Sequence, residues 1–278
     1  MPLTKPLSAW LTSLTKPGIL VFWFTLLSCV LAYLLILLAV SRLPISLFFH
    51  ANQIPLYWQT IYITGLYLIL WILSFVFIKK QQFYIQVGSL LNLSKGMALS
   101  FISACCLLAV LTGFKLSLWI GFDFSWLILV EVSLMAVALA SIEEYVFRGF
   151  HFEVFKSKNT LQKAALFQAL IYAFVHLLRS DLLWFHWLVI FFNLSLIGFI
   201  LARVRLITNS LTWPIGLHAG WIIATNLATR SQAFEWNTHW NLWSGQGNPA
   251  YGLSGSFCLL LVLWMMHSAN SDHPGQVV

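Results

Sequence analysis

The chain reads as an all-α polytopic membrane protein, a bundle of about eight transmembrane helices. Of its 278 residues, 60% are hydrophobic and only 8% charged, where soluble globular domains carry about 25% charged residues. Its mean hydropathy is +0.86. Apolar runs of spanning length, roughly 17 to 25 residues, recur at about 18–40, 57–78, 97–114, 124–150, 161–178, 183–202, 211–229 and 252–267.

The basic residues agree with that count, because Lys and Arg are retained on the cytoplasmic side of a membrane. With the N-terminus inside, the inner segments hold Lys5, Lys16, Lys79, Lys80, Lys95, Lys156, Lys158, Lys163, Arg203 and Arg205, and the outer ones hold Arg42, Lys115, Arg179 and Arg230. Ten against four, with Arg148 counted in neither set, predicts both termini in the cytoplasm. The chain is expected in the plasma membrane. Its net charge of +7 forms no basic stripe with interleaved aromatics, so a nucleic-acid partner is not indicated.

Each segment has its own reading. Residues 1–17 place Leu7, Trp10, Leu11 and Leu14 at helical spacing and are expected along the inner membrane surface. The first span is longer than a signal-peptide core and lacks a small-residue cleavage site, which predicts a retained helix. Residues 18–267 form one bundle, with no internal repeat or linker, and 268–278 are a polar tail expected to be disordered. Cys29, Cys105, Cys106 and Cys258 all fall within predicted spans and suggest neither a disulfide framework nor a CxxC metal pattern. The one long connector, 231–251, carries Trp236, Trp240 and Trp243; it fits an interfacial tryptophan belt or a lid over a cavity.

The chemistry concentrates in the second half. Residues 141–150 read SIEEYVFRGF, which places Glu143, Glu144 and Arg148 at the end of an apolar run. A charged side chain at the bilayer centre costs about 3 kcal/mol on insertion scales, so such groups are functional candidates. Residues 124–155 form one long helical pattern on which Glu144 and Arg148 stand four apart, in the favourable acid-before-base order. A snorkelling ion pair accounts for those two. Glu143, one residue earlier, is left without a local partner, and a positioned carboxylate of that kind serves as a general base.

Two further spans each carry a histidine: Tyr172-Ala173-Phe174-Val175-His176 in the fifth and Gly216-Leu217-His218-Ala219-Gly220 in the seventh. Singly, each fits a satisfied core residue. With the carboxylates they form a set of polar groups that need one another, because none finds water in hydrocarbon. Gly216 and Gly220 also make a small-xxx-small pattern that draws His218 towards a neighbouring helix. His151 and His186, near predicted connectors, read as interfacial.

No HExxH, GxSxG or GxGD string is present, which removes the simplest metalloprotease, serine and aspartyl readings. Glu143, His176 and His218 then either hold a divalent metal such as zinc or work without one. In the second case Glu143 deprotonates a water while the imidazoles orient it and stabilise an oxyanion. The metal-free arrangement needs fewer ligands.

EExxxR, an aromatic-xxx-His string and a third helix carrying His together closely resemble the CPBP family of intramembrane proteases, also called Abi, which contains the type II CAAX prenyl endopeptidases. The resemblance covers roughly 124–229 and maps the family's motifs onto Glu143, Glu144 and Arg148, then His176, then His218. It implies a helical bundle with a membrane-embedded cavity, and endopeptidase activity on a membrane-associated peptide or protein. Two positions depart from the pattern: Tyr172 stands where Phe is usual, and Ile222 where Asn or Asp is usual. Asn226, eight residues after His218, or Asn193 in the sixth span are the candidates for the missing amide. A proton-coupled transporter and a catalytically inactive peptide-binding or immunity-type protein are the alternatives.

Overall fold

A computed structural model describes residues 72, 86–123, 125–177, 184–237, 239, 241–245 and 247–271. The chain forms two units, Met1–Gln82 and Phe83–Val278, and the elements that follow lie in the second. The interfacial segment expected at 1–17, the span at 18–40 and, apart from Ile72, the span at 57–78 lie outside the described residues.

In order, the elements are α1 (Leu90–Gly113), β1 (Ser117–Trp119), α2 (Trp126–Glu144), a π-helical turn (Tyr145–His151) and α3 (Phe152–Lys156). Then come α4 (Leu161–Leu177), α5 (Trp184–Thr208), α6 (Thr212–Arg230), β2 (Phe234–Trp236), α7 (Asn241–Ser244), a 3-10 turn (Pro249–Tyr251) and α8 (Leu253–Ser271). The chain is thus a helical membrane protein. Among the described residues, Leu90–Gly113, Trp126–Lys156 and His186–Thr208 are long and apolar enough to cross a membrane, while Leu161–Leu177 and Leu253–Met266 are shorter apolar helices. In α6, His218, Thr225, Asn226 and Thr229 dilute the hydropathy. α8 runs to Ser271, into the stretch read as a polar tail.

Local chemistry sets the helix ends. Ser89 caps α1, its Oγ accepting from the Asn92 backbone N–H at 3.3 Å, the usual task of an N-cap hydroxyl. The helix therefore starts earlier than predicted and carries Lys95 in its second turn; a connector position for Lys95 is corrected. Its long stem lets an exposed lysine reach water from a helix. Pro214 lies in the first turn of α6, where the missing N–H has no intrahelical partner to lose.

Close approach of backbones holds the helices together, since lipid tails are as apolar as leucine and small residues let helices pack. α6 packs on both α1 and α2. On the α1 side, a Cβ at Gly216 would run into the Leu93 carbonyl and one at Gly220 into the Met97 carbonyl, while one at Gly96 would lie 2.9 Å from the Trp213 carbonyl. On the α2 side, Val132, Ala136 and Ala140 pack on Ile215, Ala219, Ile223 and Leu227, both rows running four residues apart.

A second seam joins α4 to α5. A Cβ at Gly198 would come within 2.9 Å of Ala169 Cα, and Gln168 Nε2 donates to the Gly198 carbonyl at 2.8 Å. Phe152, Ala164, Ala165 and Ala202 fill the interior beside it.

The long connector is structured where described. β2 pairs antiparallel with β1, Ser117 facing Trp236, Leu118 facing Glu235 and Trp119 facing Phe234. Three-residue strands are too short for a period-two pattern, so the sequence carried no signal for them.

The α1–α6 seam yields a stability prediction. Gly220→Ala drives a methyl into main chain that no rotamer change relieves, at about 1–3 kcal/mol for overpacking. Thermal unfolding of the purified chain in detergent should show a lower Tm, whereas Gly113→Ala, where an added Cβ meets nothing within 4 Å, should leave it unchanged.

Candidate active site

α2 ends on the two carboxylates, and the chain continues at once into the π-helical turn that carries Arg148 and His151. An unbroken α-helical pattern across 124–155 is therefore corrected, since residues 145–151 are wound wider. Turns of this kind insert one residue into a helix, leave no mark in hydrophobic periodicity, and are frequent at functional sites. The i,i+4 pair survives the change. Arg148 Nη1 donates to Glu144 Oε1 at 2.8 Å, with both side chains wholly buried. The guanidinium lies over the Tyr172 ring, 4.4 Å from its centroid, within cation–π range.

Glu144 Oε1 accepts a second hydrogen bond, from His218 Nδ1 on α6 at 2.8 Å. On α4, His176 Nδ1 donates to the Tyr172 carbonyl at 2.8 Å. Because the acceptor in each case is an oxygen without a proton, Nδ1 is the protonated nitrogen of both rings. That leaves both Nε2 atoms turned to Glu143. Its Oε2 lies 3.4 Å from His176 Nε2 and 3.8 Å from His218 Nε2.

Charge balance follows from this geometry. Two carboxylates meet one guanidinium, so a single proton on either imidazole or on Glu143 makes the buried cluster neutral, the condition burial favours. Exposure orders the groups from outside in: the imidazole side chains are 11% exposed and the Glu144 carboxylate 0%. Among the described residues, Glu144 Oε2 and Arg148 Nε and Nη2 have no hydrogen-bond partner, and spare capacity in buried polar atoms is one mark of a functional site.

The structure thus brings Glu143, Glu144, Arg148, His176 and His218 together from α2, the π-helical turn, α4 and α6. Asn226 is placed apart from them. It stands two helical turns beyond His218, about 12 Å along the axis, and donates to the Ile222 carbonyl at 2.9 Å. Asn193 is occupied elsewhere: its amide donates to the carbonyls of Ala250 and Gly252 at 2.9 and 2.8 Å, and its Oδ1 accepts from Ser256 at 2.6 Å. Ile222 packs against the α2–α6 core. Among the described residues, no group of three or more His, Cys, Asp or Glu side chains is arranged to hold a metal ion.

The connector position of His151 is corrected. His151 is buried within the π-helical turn, its Nδ1 donating to the Val146 carbonyl at 2.9 Å, with the Phe147 and Phe150 rings beside it. His186 is buried at the start of α5. The end of the apolar run at residue 150 was no guide, because the helical chain continues through His151 to Lys156. Tyr172, in the sequence only a departure from the usual Phe, has a structural part. Tyr172 caps Arg148 with its ring, fixes the His176 tautomer with its carbonyl, and lies 4.2 Å from the His176 ring, centroid to centroid. Its place four residues before His176 is the signal that points to that carbonyl.

No curated protein and no solved structure matches the chain. A family model does, over residues 123–224, a stretch that takes in both carboxylates, Arg148, His176 and His218 and stops short of Asn226. That model is the Rce1-like family of type II CAAX prenyl endopeptidases, so this region is similar to that domain and consistent with the CPBP, or Abi, family of intramembrane proteases.

Proposed function

We propose that the chain is an intramembrane endopeptidase in which Glu143 activates water against a peptide bond of a membrane-associated protein or peptide. The observation that carries this reading is the convergence of two imidazole Nε2 atoms on Glu143 Oε2, at 3.4 and 3.8 Å. Glu143 takes a proton from water as the hydroxide oxygen adds to the scissile carbonyl carbon. The C–N bond then breaks, and the departing amine receives that proton from Glu143 or through His176. A carboxylate in this role contributes typically 10²–10⁴-fold in rate.

The partners divide the remaining work. His176, held by the Tyr172 carbonyl, orients the water and relays the proton. His218, held by Glu144, is the oxyanion-side group, and in the protonated cluster it presents Nε2–H to developing negative charge. Arg148 pairs with Glu144 Oε1, the oxygen that fixes His218. The CAAX-type domain supports prenylated or otherwise membrane-anchored substrates. A second reading, a catalytically inactive peptide binder, is favoured by Ile222 at the position of the family amide and by the distance of Asn226 from His218.

Glu143→Gln separates these readings. It should lower cleavage at least about 100-fold while leaving Tm and peptide binding intact. In cells, comparison of protein termini between the parent chain and this variant should reveal a membrane-anchored protein that is no longer trimmed; unchanged termini would favour the binder. Chelation of divalent cations should leave the cleavage rate unchanged, and a loss restored by zinc would move Glu143, His176 and His218 to the metal-ligand alternative. Arg148→Met should fail differently, by loss of folded protein, because removing one partner of a buried pair costs about 3–5 kcal/mol; the yield of monodisperse material reads this directly.

A further inference from the structure

Away from the carboxylates, a cleft of about 580 Å³ opens between α4, α5 and α8. Its residues are none of those in the catalytic cluster. At the rim stand Gln162 and Lys163, in the first turn of α4, and Arg203, near the end of α5. One turn deeper the wall becomes apolar, with Leu166 on α4, Phe199 on α5, and Leu263 and Met266 on α8. A helical turn rises about 5.4 Å, so the cations and the greasy wall are separated by roughly the depth between a headgroup and the first methylenes of an acyl chain.

The two cations are also uncommitted. Glu153 pairs with Arg205 at 2.7 Å and with Lys156 at 3.6 Å, whereas among the described residues Lys163 and Arg203 enter no ion pair. Lys163 is exposed and Arg203 half-buried beside the apolar wall. Two positive charges beside an apolar cleft match an occupant with a negative head and a hydrocarbon body. We propose that this cleft is a binding site for an anionic phospholipid, whose phosphate meets Lys163 and Arg203 and whose acyl chain lies between Leu166, Phe199 and Leu263. Basic pockets between transmembrane helices are suited to such headgroups. A free phosphate would leave the wall unused, and a zwitterionic lipid would leave the charge unbalanced.

The test uses the full-length chain in detergent, titrated with phosphatidylglycerol or phosphatidylcholine and followed by native mass spectrometry. Lys163→Gln combined with Arg203→Gln should weaken phosphatidylglycerol binding by about tenfold or more, near fivefold for each cation, with phosphatidylcholine unaffected. Lys163→Arg combined with Arg203→Lys should restore it, and Lys158→Gln, an exposed charge in the turn before α4, should change nothing. Inorganic phosphate at millimolar concentration should fail to displace the lipid. Parent-like binding by the double glutamine variant overturns the site. Equal weakening by Lys158→Gln reduces it to general surface charge, and ready displacement by phosphate makes it an anion site without lipid. Should the double variant lose its fold, Lys163→Gln alone, at an exposed position, decides the matter by the same readout.

Discussion

One oxygen, Glu144 Oε1, holds the centre of this structure together. It accepts from Arg148 on its own helix and from His218 on α6, in surroundings where water cannot supply either bond. Coulombic attraction in such a place is strong, but so is the cost of leaving any member unpaired. Position then becomes a matter of mutual need. The guanidinium requires a carboxylate, the carboxylate fixes an imidazole by its Nδ1–H, and the imidazole turns its other nitrogen to the neighbouring acid. Glu143 owes its surroundings to bonds that it does not itself make.

Around that centre the packing is built from what is missing rather than from large side chains. Glycines at 96, 216 and 220 bring α1 and α6 into main-chain contact, and alanines along α2 let the carboxylate helix lie close on a neighbouring face of α6. Gly216 and Gly220 flank His218 on either side by two residues, so the same close approach that joins the helices sets the height of the ring. Tyr172 plays the corresponding part on α4, with ring against Arg148 and carbonyl against His176.

Much of this was legible in the chain and some was not. The helices from 124 onward could be read because apolar runs of spanning length are long, and EExxxR with two later histidines could be read because charge is rare among them. The widening at 145–151 could not, since a single extra residue per turn does not disturb an all-apolar pattern. The same insensitivity misplaced His151, which reads as a residue near a connector because the apolar run ends at residue 150. The strands at 117–119 and 234–236 were hidden by their brevity. Asn226 shares α6 with His218, and its height along the axis, two turns away, keeps its amide from the cluster.

The seams described above divide the histidines between two bodies. α1, α2 and α6 form one stack, which contains both carboxylates and His218, while α4 belongs with α5 across the Ala169–Gly198 contact. The Arg148–Tyr172 ring contact and the packing of Phe152 on Ala164 and Ala165 tie the two groups together, so His176 meets Glu143 across contacts that run from α4 to the chain after α2. The distance from His176 to Glu143 is therefore set by the joint between these two groups of helices, whereas the distance from His218 to Glu144 is set within one of them.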